Sequence, residues 1–329
     1  MKLAILGAGK IVFDLLSFIG TVPKIELEAI FGRRQSIDKL EKIRSDHKIK
    51  KVYTDFEKLL ADPEIDTVYI GLPNDLHFDF AKKALNAQKN VIIEKPFVET
   101  SEHFEDLKAA AIANHRHLYE AISNQYLDNF RQLKKWLEAI APIHLAVLNY
   151  SQYSSRYDQF KAGNILPAFD INRGGGALLD LNVYNIHLAL GLFGFPDKIS
   201  YQANIKQNVD TSGILVMNYP DLVVSAIAGK DVFSLTNGPS LIEGENGFIQ
   251  IDSPTSSLTS ISLNTGGQRL TYQPKPMHRM FAEFSAFQQA IDEDRWGFML
   301  EQLEHSGQVV KILEELRDSV LSSKKEKVD

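Results

Sequence analysis

The chain contains no cysteine, which excludes disulfides, zinc–thiolate centres and thiol nucleophiles together. No apolar run approaches the ~18 residues of a membrane span. The apolar stretch near the start covers only residues 3–6 before Gly7, Lys10 and Asp14 intervene, so it reads as a strand and not as a secretory segment. Positive charge is not in excess either. Against 36 Lys and Arg stand 42 Asp and Glu, a net charge of -6 that argues against a nucleic-acid partner. No histidine cluster has metal-like spacing, and no internal repeat is present. A soluble, cytoplasmic protein with neither nucleic-acid nor membrane partners is expected. What remains is a chain of 329 residues, 44% hydrophobic, long enough for two domains with separate cores.

From residue 2 to about 121, short apolar runs alternate with helical patterning. The runs are 3–6, 27–31, 67–70, 91–93 and 118–120, with helix formers over 10–19, 36–47, 55–60, 77–87 and 101–115. Ile11, Leu15 and Phe18 recur at i, i+4 and i+7, which turns one face to a sheet. Such alternation needs crossover connections, and right-handed crossovers give a doubly wound parallel sheet.

The first strand-to-helix turn reads Gly7-Ala8-Gly9-Lys10-Ile11-Val12. Two glycines permit a sharp turn and let a pyrophosphate approach the amides that open the helix. Val12 stands where a dinucleotide fingerprint has its third glycine, a position that serves packing and not phosphate contact. A carboxylate at the end of the second strand would favour NAD. The chain instead has Gly32-Arg33-Arg34, whose guanidinium forks suit the 2′-phosphate of NADP, with a solvated basic turn as the plain alternative. Leu72-Pro73-Asn74 follows the strand at 67–70, and His77 comes three residues later. Asn74 could simply cap a helix, but loops at this edge of such a sheet also bind ligands. Glu94-Lys95-Pro96 follows the strand at 91–93, where a lysine at the end of a buried strand is a candidate proton donor.

With Gly7 to Val12, Pro73-Asn74-x-x-His77 and Glu94-Lys95-Pro96 in that order, the chain resembles the glucose–fructose oxidoreductase/inositol dehydrogenase/MocA family over essentially its whole length. The resemblance implies that Lys95 hydrogen-bonds the reacting hydroxyl or carbonyl, that Glu94 helps fix the turn and the cofactor, and that the Lys95–Pro96 bond is cis. Residues Gly7, Ala8, Gly9, Lys10 and Ile11, Gly32 to Arg34, Leu72 to Asn74, His77, Glu94 and Lys95 are the expected cofactor contacts. The expected fold is α/β. A Rossmann-type parallel sheet over residues 1–122 precedes an α+β domain over 123–329 with a large, mostly antiparallel open sheet.

In the second half, a helical stretch at 127–140 and a strand at 144–150 lead into a long polar loop, 151–172. Its Tyr153, Arg156, Tyr157 and Asn164 suit an ordered segment near a polyhydroxylated substrate. Gly174-Gly175-Gly176 then opens a helix to about Phe193, on which Asp180, Tyr184 and His187 lie at i, i+4 and i+7 as a polar stripe. A solvated face is the plain reading of such a stripe. The family motif here is Gly-Gly-x-x-x-Asp followed four residues later by His or Tyr, and the chain carries Asp180 and Tyr184 but Asn182 where glycine is usual. The tyrosine version resembles the glucose–fructose oxidoreductase and dihydrodiol dehydrogenase branch, which implies NADP. His187 stands where many members carry Asp, and it is a candidate substrate contact.

Strand-like runs succeed one another from 199 to 272, broken at 218–221, 237–239 and 265–267, and two helices at about 280–292 and 301–323 are expected to pack back on the first domain. The residues from 322 to 327 read as a polar tail. Apolar strand residues such as Ile214, Val216, Val223 and Ile227 outnumber the helices available to cover both faces, so a homodimer or homotetramer is expected. The function expected is reversible hydride transfer between NADP, or NAD, and a secondary alcohol or carbonyl of a sugar, polyol or diol. Lys95, Tyr184 and Asp180 are the catalytic candidates, with Tyr184 the proton donor, Lys95 stabilising its phenolate and Asp180 pairing with Lys95 or orienting the substrate. Substrate contacts are expected from Lys95, Asp180, Tyr184, His187 and Arg156. A cofactor-binding sensor without turnover is the alternative, and retention of all three catalytic candidates argues against it.

Overall fold

The computed structural model describes residues 1–234 and 239–322. The turn expected at Asn237-Gly238 and the tail beyond Ser322 lie outside the described residues. Two compact units are present: Met1–Ala121 with Met280–Gly307, and Ile122–Arg279 with the chain from Gln308 onward.

In the first unit β1 (Lys2–Leu6), α1 (Lys10–Leu16), β2 (Glu26–Phe31), α2 (Ile37–His47), β3 (Lys51–Tyr53) and α3 (Phe56–Leu60) form one half. The other half is β4 (Thr67–Ile70), α4 (His77–Asn86), β5 (Asn90–Glu94), α5 (Ser101–Asn114) and β6 (Leu118–Ala121). The strands lie in the order β3-β2-β1-β4-β5-β6, all parallel, so the winding reverses between β1 and β4. Residues 3–6, 68–70 and 91–93 are fully buried, as expected of strands covered on both faces. Helix starts follow local chemistry. Thr100 accepts the His103 N–H at 3.1 Å to begin α5, and Asp55 accepts the Lys58 N–H at 3.3 Å to begin α3.

The second unit runs through α6 (Asp128–Ile140), β7 (Ile143–Ser151), α7 (Tyr157–Lys161), a π-helical turn at Leu178–Asn182 and α8 (Val183–Phe193). Seven strands follow: β8 (Lys198–Lys206), β9 (Val209–Asn218), β10 (Val223–Gly229), β11 (Ser240–Gly244), β12 (Gly247–Ile251), β13 (Ile261–Thr265) and β14 (Gln268–Tyr272). With β7 they make one sheet, β14-β13-β12-β11-β7-β10-β9-β8, antiparallel except for the parallel pair β7–β10. The loop 151–172 contains α7 and a small core of its own, in which Tyr157, Phe160 and Phe169 pack on Val209. Helix α9 (Phe281–Asp292) belongs to the first unit, and α10 (Trp296–Ser322) closes the described chain. From α9, Phe284 meets Tyr69 edge-on at 5.6 Å and Phe287 stacks on Tyr119 at 4.6 Å. Each such pair adds about 0.5–1.5 kcal/mol beyond its buried area. No described helix is long and apolar enough to cross a membrane.

Along β9 and β10 burial alternates. Leu215, Met217, Val224 and Ala226 face inward, whereas Ile214 is 43% exposed and Val223 40%. Leu145, the parallel partner of Val223, is 53% exposed, and Ile227 pairs with Ile214 on the same outward side. An apolar face of this kind is expected to be covered by a second copy of the chain. Light scattering should give at least twice the 37.0 kDa chain mass, and Ile214→Asp/Ile227→Asp should shift it toward one. A wild-type monomer at micromolar concentration would contradict this.

Candidate functional site

The first set of candidates gathers where the parallel strands end. Gly7 follows β1, Gly32 to Arg34 follow β2, Leu72 to Asn74 come just after β4, and Glu94 and Lys95 end β5. This is the carboxyl edge of the sheet at its switch point, the side on which open α/β sheets bind ligands. Gly7 has φ +112°, and a Cβ there would lie 2.6 Å from the Gly71 carbonyl oxygen, so no other residue fits. Fully buried Val12 packs its Cγ2 against both glycines, the packing role its position implies. Gly9 caps α1 without a side chain, and nothing stands within 4 Å of where its Cβ would be. Lys10 and Ile11 follow in the first turn, where backbone N–H groups precede the helical ladder. Lys39 of α2 donates to the Ala8 carbonyl at 2.7 Å and ties the turn to the next helix.

Arg33 and Arg34 are exposed, in a 3₁₀ turn that starts at Arg34, and neither has a carboxylate partner among the described residues. The acid nearest in β2, Glu28, is buried in the strand and ion-paired with Lys50. This edge therefore fits a dinucleotide carrying an additional phosphate.

His77 occupies a different place from a ligand contact. It is fully buried, with Nε2 3.0 Å from the Leu72 carbonyl oxygen and Nδ1 3.1 and 3.2 Å from those of Pro96 and Phe97. The ring thus stands between the Leu72-Pro73-Asn74 turn and the Glu94-Lys95-Pro96 turn with carbonyl oxygens on both sides, and burial pushes its pKa below the ordinary imidazole value. Glu94 is held by the Tyr69 hydroxyl, which donates to Oε1 at 2.7 Å. The Lys95–Pro96 bond is cis, and Lys95 is half-buried.

The second set stands on the π turn and α8. Gly176 has φ +120°, and a Cβ there would overlap the carboxylate of Asp210. That carboxylate accepts the Leu178 N–H at 2.7 Å and the Tyr201 hydroxyl at 2.8 Å. Asp180 forms an ion pair with Lys230, Nζ to Oδ2 2.8 Å, a partner that no motif in the sequence indicates. The side chain of Tyr184 is buried, edge-on to Tyr150 at 5.7 Å. His187 is fully buried, so the three residues do not form a solvated stripe. The wide turn at Leu178–Asn182 breaks the 100° phase on which the stripe was reckoned. Asn182 is buried too: its amide donates to the Ala226 carbonyl of β10 at 3.1 Å, so it binds the helix to the sheet by a hydrogen bond instead of by glycine's closeness. Arg156 is half-buried at the start of α7. Asn124 and Gln125, to which the sequence assigned no role, donate to the carbonyls of Tyr184 and His187 at 2.8 and 2.9 Å and hold α8 in place.

A family model described as an oxidoreductase family with an NAD-binding Rossmann fold, Gfo/Idh/MocA, matches residues 1–121. Similarity extends well past that segment. A scyllo-inositol 2-dehydrogenase (NADP(+)), IolU of Bacillus subtilis, is 31% identical over 96% of both chains. The chain belongs to the Gfo/Idh/MocA family. Another relative, a trans-1,2-dihydrobenzene-1,2-diol dehydrogenase of Xenopus tropicalis, is 26% identical over 84% of this chain and 83% of its own. Among solved structures, KijD10, a 3-ketoreductase of Actinomadura kijaniata in complex with NADP and TDP-benzene, shares the fold with a TM-score of 0.83 over 97% of both chains at 18% identity. This family member is thus an oxidoreductase with an NAD-binding Rossmann domain and a second domain built on a mostly antiparallel sheet.

Burial pushes the Asp210 carboxyl up to about 6. The native state therefore holds this proton more tightly than the unfolded chain, whose aspartates titrate near ~3.9. The resulting stability is fully present below about pH 4 and is lost as pH rises through about 6, on the order of 2–3 kcal/mol. Asp210→Asn should remove that loss. Urea unfolding at pH 4.5 and 7.5 should show a smaller decline for the variant than for the wild type; parallel curves would mean that Asp210 stays ionised throughout.

Proposed function

We propose that this protein catalyses reversible NADP-dependent hydride transfer at a secondary alcohol or carbonyl carbon of a sugar, polyol or diol. The observation that carries the reading is the gathering of Gly7, Gly9, Arg33, Arg34, Asn74 and Lys95 on one edge of the parallel sheet. Support for the substrate class comes from the relatives named for scyllo-inositol and for a trans-dihydrobenzenediol, and support for NADP from the first of them.

Bound NADP would supply the hydride chemistry, leaving position and proton management to the protein. Gly7, Ala8, Gly9 and the first turn of α1 would take the pyrophosphate, and Arg33 and Arg34 the 2′-phosphate. Leu72, Pro73, Asn74 and Glu94 would line the nicotinamide half, with His77 standing between the two turns. Lys95 would hydrogen-bond the reacting substrate oxygen, and Tyr184 would be its proton donor and acceptor. In the oxidative direction Tyr184 Oη would take the proton of the reacting hydroxyl. The Lys95 ammonium would lower the pKa of the phenol that accepts it. Asp180 and Arg156 would complete the substrate side, with His187 fully buried in α8.

Two experiments test the reading. Equilibrium titration of NADP and NAD into Arg33→Ala/Arg34→Ala should show NADP affinity at least tenfold weaker, with NAD affinity nearly unchanged, because charge-assisted contacts to the 2′-phosphate are lost. Equal losses would mean that the arginines only shape the turn. Assays with NADP⁺ and a panel including scyllo-inositol and trans-1,2-diols should reveal turnover. On the best of these, Lys95→Met and Tyr184→Phe should each lower kcat by about 10²–10⁴. The double variant should be hardly worse than the worse single one, since groups acting as a unit are non-additive. Losses that multiply would separate the two residues into independent tasks.

A further inference from the structure

Lys230 lies just past the end of β10, and only 3% of its side chain is accessible. Its ammonium donates to Asp180 Oδ2 at 2.8 Å and to the Ala168 carbonyl at 2.5 Å, with the Gly176 carbonyl 3.5 Å away. The Phe169 ring centre lies 4.6 Å from the same nitrogen, so the cation is held by fixed acceptors and an aromatic face. Asp180, by contrast, keeps 38% of its side chain accessible. The pair is thus a buried cation gripping an anion that still reaches the surface. The strand does not need this arrangement, because an apolar residue of similar volume would be satisfied at that position without desolvating a charge. A second carboxylate, Asp210 of β9, also feels the Lys230 charge and is bonded in turn by Tyr201 of β8.

We propose that Lys230 is a positioning residue of the active site, which fixes Asp180 as an oriented anion that accepts a hydrogen bond from a substrate hydroxyl and leaves proton movement to Tyr184 and Lys95. The inference rests on the reading of Asp180 as a substrate-facing residue. An adjacent ammonium favours the ionised carboxylate, and an ion-paired carboxylate is a weak proton acceptor at neutral pH. Lys230 therefore acts through Asp180 and touches neither substrate nor cofactor. It assigns Asp180 to binding and orientation, a division of labour that the spacing of Asp180 and Tyr184 on the helix does not reveal.

The test uses the full chain as Lys230→Met, Asp180→Asn and Lys230→Met/Asp180→Asn. In protein labelled with ¹³Cγ-aspartate, the signal lost in Asp180→Asn identifies the carboxyl carbon. Its titration midpoint should lie at least one pH unit higher in Lys230→Met than in the wild type. This readout needs no substrate. With NADP⁺ and the best polyol of the panel, Lys230→Met should lose at least tenfold in kcat/KM at pH 7, because Asp180 is no longer held in place, and the acid limb of its pH profile should move up with the midpoint, while the NADP dissociation constant stays within twofold. An unchanged midpoint and pH profile would overturn the proposal, as would an equal loss at every pH with NADP affinity falling in parallel. If Lys230→Met does not fold, Lys230→Met/Asp180→Asn should, because it removes both charges; failure of both variants to fold would also overturn it, since Lys230 would then serve the fold and not the carboxylate. Asp180→Asn with unimpaired kcat/KM would refute the reading of Asp180 itself, whereas an impaired Asp180→Asn beside a silent Lys230→Met would refute only the role of Lys230.

Discussion

Beyond Leu6 and Ile70 the chains leaving β1 and β4 run past each other with no room for a side chain at Gly7. This contact sets the sharpness of the first turn, and Val12 then packs into the corner. The direction of α1 follows from that packing, as does the way its first-turn amides point. The remaining turns at the same edge inherit their spacing from the parallel ladder, about 4.8 Å from strand to strand. One backbone approach thus propagates sideways to Arg33, Asn74 and Lys95. Buried His77 fills the space between the last two turns, beside the Leu72, Pro96 and Phe97 carbonyls, and the Tyr69 hydroxyl fixes Glu94.

The second unit, like the first, buries charge. Taking an ammonium or a carboxylate out of water costs several kcal/mol per ion, and only good geometry with further hydrogen bonds recovers it. Lys230 has carbonyl acceptors besides Asp180, and Asp210 has a helix-end N–H and a phenol. Asp210 remains incompletely compensated, which is why its carboxyl rises to about 6. The polar ladder of Asn182, Asn185 and Thr255 follows the same rule with neutral groups: Asn185 bonds Asn182 at 2.8 Å, the Ile227 carbonyl at 3.0 Å and the Thr255 hydroxyl at 2.7 Å. These bonds hold the π turn and α8 against β10.

The parallel sheet, its crossovers and the turns on its carboxyl edge were legible because their determinants are local. Gly7 and Gly9 sit within one turn, and Glu94-Lys95-Pro96 directly follows its strand. The antiparallel sheet was legible from successive strand-like runs broken by turn signals, although its parallel pair β7–β10 was not, since nothing in either strand announces a partner some eighty residues away. Lys230 was hidden for the same reason. It reaches Asp180 across fifty residues of sequence, and a lone lysine after a strand carries no signal. The polar stripe failed at Tyr184 and His187 because α8 is buried on every side from Val183 to Leu190, and the π turn before it also puts Asp180 out of their phase. The amides of Asn124 and Gln125 bond main-chain carbonyls, which have no side-chain signature to match.

The parallel pairing of β7 with β10 has a consequence for how such a protein can change. Because the two strands run the same way, the chain leaves both at one end. There the Gln152 and Ser154 N–H groups bond the Gly229 and Lys230 carbonyls, each at 2.8 Å. The segment that carries Tyr153, Arg156 and the small aromatic core is therefore hung by its root from the backbone of the very residue that grips Asp180. Between that root and Ala168, whose carbonyl Lys230 also bonds, the segment can change in sequence while the hinge point and the charge beside it stay where they are. The stretch between those two points is an interchangeable fitting on a fixed mount, and change within it leaves the buried ion pair untouched.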